Sequence, residues 1–97
     1  MNKLKKVNVV IAEDRLAAKK FLNELVPQPT RVVENANSVE TTEEVFKIIR
    51  YKDFAMDIMG QRLYKAYLYK VTLSEAEMLT LKSCFAGEGL IDIAQVA

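Results

Sequence analysis

The chain has 97 residues, 51% of them hydrophobic and 28% charged, with a formal net charge of +1. This length predicts one domain, and this balance of apolar and charged residues excludes a disordered chain. A charge so near zero selects neither nucleic acid nor an anionic surface as the dominant partner.

Read in order, the chain starts basic and turns apolar within MNKLKKVNVVIAEDR. The apolar run Val7 to Ala12 is interrupted by Asn8 and followed at once by Glu13 and Asp14. It is too short for a signal peptide, so Lys6 to Ala12 is predicted as a buried strand of a cytoplasmic protein. No stretch reaches transmembrane length, which predicts no membrane partner. Asp14 suits the N-cap of a helix over Arg15 to Leu25. Ala17, Ala18, Phe21, Leu22 and Leu25 form its apolar stripe. Pro27 and Pro29 stop that helix, and Thr30 to Glu34 reads as a second strand. Strand, helix and strand in this order predict a β-α-β unit. Asn35 to Ser38 is turn chemistry.

Residues 42–59 admit two readings. Thr41 and Glu44 spell a capping box, and Gly60 could end the helix it would start. Yet Val45, Phe46, Ile48, Ile49, Tyr51 and Phe54 favour strands, with Lys52-Asp53 as a hairpin turn. The balance falls on strands at Val45–Tyr51 and Phe54–Met59. Met56 and Met59 are expected to fill the core in either case. Leu63 to Val71 alternates as a strand does. Thr72 and Glu75 then form a T-x-x-E capping box, and Gly87 suits the C-cap of the helix between. Met78, Leu81 and Phe85 make that helix's stripe, and Cys84 beside it reads as a small buried apolar residue. Leu90 to Val96 fits a last strand, with Ile91 and Ile93 on one face. Phe21, Leu25, Leu81 and Phe85 are expected to be mostly buried.

The chemistry of the chain is bounded by what it lacks. There is no histidine, and Cys84 is the one cysteine. That removes the commonest general base, the usual zinc spacing and any internal disulfide. Neither a dinucleotide nor a P-loop glycine fingerprint occurs. No cofactor, metal or catalytic residue is therefore expected. Asp53 and Asp57, four apart, read as solvated surface carboxylates. The charge falls in blocks. Residues 1–33 carry seven Lys/Arg against three Asp/Glu, and residues 45–70 carry six against two. Acidic blocks follow each, and such blocks read as solvated faces that complement one another.

One constellation stands apart. Arg62, Tyr64, Lys65, Tyr67, Tyr69 and Lys70 interleave cations with aromatics along a single strand. Alternation puts Lys65, Tyr67 and Tyr69 on one face and Tyr64, Ala66, Leu68 and Lys70 on the other. The first reading is a half-buried strand whose tyrosines cover the edge of the core while its lysines stay in water. The second is a protein interface, where Tyr and Arg are favoured anchors. The third is base stacking between phosphate-binding cations.

Three segments resemble the α/β core of phage terminase and helicase proteins, and small phage accessory proteins that keep that core. They are Val9 to Ala12 in the strand VNVVIA, Ala17 to Leu22 in the helix, and Gly60, Arg62, Leu63, Ala66, Tyr67 and Leu68 in G-x-R-L-x-x-A-Y-L. In the motor proteins the strand after G-x-R ends in acidic residues that hold Mg²⁺. Here Tyr69-Lys70 stands at that place, and the phosphate loop is missing. The resemblance therefore implies a fold and a phage-like setting, and argues against ATPase activity. Together these readings predict a single αβ domain over residues 1–97, of α/β or α+β class. It would have a central mixed β-sheet, two main helices and an N-terminal β-α-β unit. The expected function is a small non-catalytic protein-interaction module, a phage or mobile-element accessory factor. It would offer a strand edge or aromatic face to a protein partner, or to a second copy as a homo-oligomer. The alternative is nucleic-acid binding along Arg62–Lys70.

Overall fold

Strand β1, Lys6–Ala12, has the position its composition demands. VNVVIA is apolar on both faces, as a strand covered on both sides must be. In the computed structural model β1 is flanked by two parallel strands, β4 (Glu44–Arg50) and β5 (Leu63–Tyr69). Residues 5–27, 31–33, 38–85 and 91–96 are described. The sheet has six strands in the order β2-β3-β4-β1-β5-β6, with β2 at Arg31–Val33, β3 at Ser38–Glu40 and β6 at Ile93–Val96. Strands β2, β3 and β4 pair antiparallel, and β5 and β6 pair parallel. The domain is thus α/β with a mixed sheet.

The two faces of β1 feed two cores. Val10 and Ala12 pack with Phe46 under helix α1 (Arg15–Leu25), against Ala18, Leu22 and Val26. Val9 and Ile11 pack with Ile49, Ala66 and Leu68 under a second helical layer. That layer holds α2 (Phe54–Asp57), entered through a 3₁₀ turn at Tyr51–Asp53, and α3 (Glu75–Ser83). Phe54 and Ile58 from α2 and its end, and Leu81 from α3, complete this core. Asn8, the polar residue inside β1, is buried and donates from Nδ2 to Glu44 Oε2 at 2.6 Å. Its burial is thereby satisfied.

Strand β1 and helix α1 start and stop where their sequences predict. Asp14 caps α1, its Oδ1 accepting from the Ala17 N–H at 2.8 Å. Several expectations are corrected. Leu25 is 36% exposed, because the α1 stripe turns from the sheet before its last residue. The β-α-β unit is present with its two strands parallel, and β4 and β3 lie between them. Thr41-x-x-Glu44 is not a helix cap. The Glu44 N–H donates to Thr41 Oγ1 at 3.1 Å, and the Thr41 N–H to the Glu44 carbonyl at 2.8 Å. The same side-chain chemistry closes the β3–β4 hairpin. Phe54–Met59 is helix and turn rather than strand, and Lys52-Asp53 is not a hairpin turn. Phe54 and Ile58 bury at helical spacing, and Gly60 leaves the turn at φ 77°. Met56 and Met59 consequently project into water, 81% and 73% exposed. Finally, Thr72 does not cap α3. Ser74 and Glu77 form the capping box two residues later, each side chain bonded to the other's backbone N–H, at 3.2 and 2.8 Å.

Leu81 is fully buried, while Phe21 and Phe85 are half-buried. Cys84 is half-buried too. Its Sγ lies 3.4 Å from the carbonyl oxygens of Ile58 and Thr80, where the thiol ties the end of α2 to α3. Of the last strand, Ile93 packs on the α3-side core and Ile91 is exposed ahead of it. Gly87, Pro29, Thr30 and the turn residues Asn35 to Asn37 lie outside the described residues.

Candidate functional site

Strand β5 carries the six residues singled out from the sequence, and the structure divides them. Its register against β1 shifts between Val7 and Asn8, where Leu63 and Lys65 are the successive partners and Tyr64 is passed over. Such a bulge reverses the alternation on its N-terminal side. Leu63 therefore joins the α3-side core with Ala66 and Leu68, and Tyr64 is left 45% exposed. Strict alternation had placed Tyr64 with Ala66 and Leu68. The Lys6 ammonium stands 5.7 Å from the Tyr64 ring centroid. Arg62 is exposed just ahead of the strand.

The other four residues do meet, on the α1 face. Tyr67 and Tyr69 are half-buried against Phe21 of α1. Phe21 meets Tyr67 at 5.5 Å between centroids and 60°, and Tyr69 at 5.1 Å and 28°. Offset aromatic contacts of this kind add to area burial. Lys65 Nζ lies 5.0 Å from the Tyr67 centroid and 3.9 Å from Asp92 Oδ2. Lys70 follows the strand with φ 57°, and its Nζ lies 5.2 Å from the Tyr69 centroid. The aromatic rings are thus engaged with α1 on one side and capped by cations on the other.

A second cluster gathers at the carboxyl ends of β1 and β4, where open α/β sheets receive ligands. The N-terminus of the helix after the central strand is the usual anion site. Here Asp14 already puts its own carboxylate there. Tyr51 donates its phenol to Glu77 Oε1 at 2.9 Å. That hydrogen bond, more than partial burial and the charges of Glu77 and Glu13, raises the Tyr51 pKa. The Glu77 carboxyl is lowered, chiefly by the Ser74 N–H and next by the Tyr51 phenol. Arg50 and Asp53 pair at 2.6 Å. Among the described residues no three His, Cys, Asp or Glu side chains come together as a metal site. Sequence reasoning missed the Tyr51–Glu77 contact, which joins residues 26 apart. Its one local signal was the S-x-x-E box hidden behind T-x-x-E.

The second helical layer also leaves large apolar side chains in water. Leu79 of α3 is 68% exposed, as are Met56 and Met59 from α2 and its end to a still greater degree. Glu75, Met78, Leu79 and Lys82 line a shallow depression along α3. Among the described residues no helix is long and apolar enough to cross a membrane.

Among the described residues, then, a six-stranded mixed sheet carries one helix on one face and two on the other, with a capped helix after its central strand. A solved structure with a similar fold is the large terminase from a thermophilic bacteriophage, in complex with ADP. The two superpose with a TM-score of 0.58 at 10% identity, over 97% of this chain and 26% of that one. This chain therefore spans about a quarter of the terminase's length, and the likeness is one of fold. It agrees at that level with the resemblance carried by β1, α1 and β5. No family model and no curated protein matches the sequence.

Proposed function

We propose that this chain is a non-catalytic protein-interaction module built on a terminase-like α/β core, an accessory factor of phage or mobile-element type. The observation that carries this reading is the exposure of Met56, Met59 and Leu79 on the α2–α3 layer. Exposed apolar residues that gather into a patch mark protein contacts, and methionine adapts to irregular partner surfaces. A further observation supports it. Tyr69 spends a ring face on Phe21 that base stacking would need, and Tyr67 meets the same ring tilted.

The test is cross-linking in the native cell with wild type and with Met56→Lys/Met59→Lys/Leu79→Lys, after circular dichroism shows the fold kept. A discrete protein adduct that the triple variant loses is expected. A parallel anisotropy titration uses mixed-sequence single-stranded DNA at two salt concentrations. Binding no tighter than the roughly 10⁻⁴–10⁻⁶ M of non-specific association is expected. Tighter, steeply salt-dependent binding that Lys65→Glu/Lys70→Glu abolishes would replace protein by nucleic acid as the partner.

A further inference from the structure

Among the described residues the sheet ends at β6, and the chemistry of that edge is specific. The Ala66 N–H donates to the Asp92 carbonyl at 2.9 Å, and the Lys70 N–H to the Val96 carbonyl at 2.8 Å. Backbone groups alternate sides along a strand. Asp92, Ala94 and Val96 therefore turn theirs toward β5, and Ile93 and Gln95 turn theirs away from the sheet. Edge strands are ordinarily blunted by charge or proline. Ile93–Val96, IAQV, has neither.

We infer that β6 pairs antiparallel with β6 of a second copy, across a two-fold axis through Ala94. Three features of this chain select a copy of itself as the occupant. The first is the ladder. Ile93 of one copy stands opposite Gln95 of the other, and the two pairs exchange four N–H···O bonds with every outward group used. The axis then passes through a non-hydrogen-bonded pair, where side chains come closest, and Ala94 is small enough for it.

The second feature is charge. Antiparallel pairing sets the Asp92 end of each β6 against the Val96 end of the other, beside Lys70. Asp92 shares the α1 face with Lys65, its partner at 3.9 Å. The Lys70 ammonium lies on that face too, over Tyr69. Each Asp92 therefore gains a cation from the other copy, while the two Asp92 residues stay at opposite ends of the ladder. The third is a half-covered strip of that face. Tyr67 and Tyr69 are half-buried, and so are Ala94 and Val96 beside them in register. A two-fold axis across the edge joins the two strips into one. This contact uses none of Met56, Met59 and Leu79, and it extends the interaction-module reading to a second surface.

The test combines sedimentation equilibrium with amide hydrogen exchange on the full chain over a concentration series. The expected result is a concentration-dependent dimer, with the Ile93 and Gln95 amides gaining protection as it forms. Asp92→Lys should weaken the dimer by about tenfold or more, and Asp92→Lys/Lys70→Asp should restore it. Aspartate suits the positive φ at position 70. In a Cys84→Ser background, Ala94→Cys should form a disulfide between copies on mild oxidation. A chain monomeric throughout overturns the inference. So does a dimer in which Ile93 and Gln95 stay unprotected and Ala94→Cys fails to cross-link. Neither result bears on the α2–α3 surface, which the cross-linking of Met56, Met59 and Leu79 judges separately.

Discussion

Leu81 and Glu77 share a helix and do opposite work. Leu81 is fully buried between α3 and the sheet, within the core of Ile11, Ile49, Phe54 and Leu68. Its side chain has nowhere to be replaced from, so Leu81→Ala should cost about 2–4 kcal/mol through lost transfer energy and the cavity left behind. Chemical denaturation with an unchanged slope reads that loss, and an unmoved midpoint would contradict the packing. Glu77 acts through its charge. It accepts from the Ser74 N–H and the Tyr51 phenol, and both hydrogen bonds favour the ionised form. A carboxyl held below its unfolded value adds stability that is present above that value and lost as pH falls through the folded one. Glu77→Gln should therefore lower the melting temperature at neutral pH, with the difference closing in acid below the usual carboxylate range. A gap independent of pH would assign Glu77 a purely steric role.

At the scale of elements, caps decide boundaries. TLSEAE offers two overlapping capping boxes, and propensity cannot choose between them. Tertiary packing chooses Ser74, because Val71 and Leu73 must first reach the core, where both are buried. Ser74→Ala should lose about 1 kcal/mol and Thr72→Ala, exposed and outside the helix, close to nothing. Equal losses, measured by thermal denaturation, would mean the helix starts two residues earlier. This choice shows what the sequence could convey. β1 and α1 were legible to the residue because their own patterns are strong: a two-faced apolar run, then Asp14 and a 3.6-period stripe. The segment 44–59 was legible as β4 and illegible afterwards. Phe54 looks like a strand former, and only the buried pair Phe54–Ile58 makes its segment helical. The β5 constellation was legible as a list and half-legible as a surface, since the bulge that reverses Tyr64 depends on the register with β1. The Tyr51–Glu77 contact depends on two elements meeting, and the S-x-x-E box that places Glu77 says nothing of Tyr51.

In the molecule as a whole, β1 holds the centre. It is paired on both edges and covered on both faces, by residues as far along the chain as Leu81. Amides of Val9, Val10 and Ile11 should exchange only through global unfolding, at rates that track denaturant stability, while those of α2 open locally. Native-state hydrogen exchange resolves the two classes. Early exchange at β1 would mean that the sheet opens along its centre.

That central place has a consequence in time. β1 is made before its neighbours β4 and β5, which begin about forty and sixty residues later. Until residue 69 has been made, VNVVIA has at least one naked edge, and until α3 follows, one naked face. At ~5–20 residues per second of synthesis, the wait lasts seconds, long against the microseconds of hydrophobic collapse. The nascent chain must spend that interval with its most aggregation-prone segment uncovered. The lysines at positions 3, 5 and 6 stand immediately before it, and charges flanking an apolar strand are what keep such a segment from pairing with its neighbours on the next ribosome.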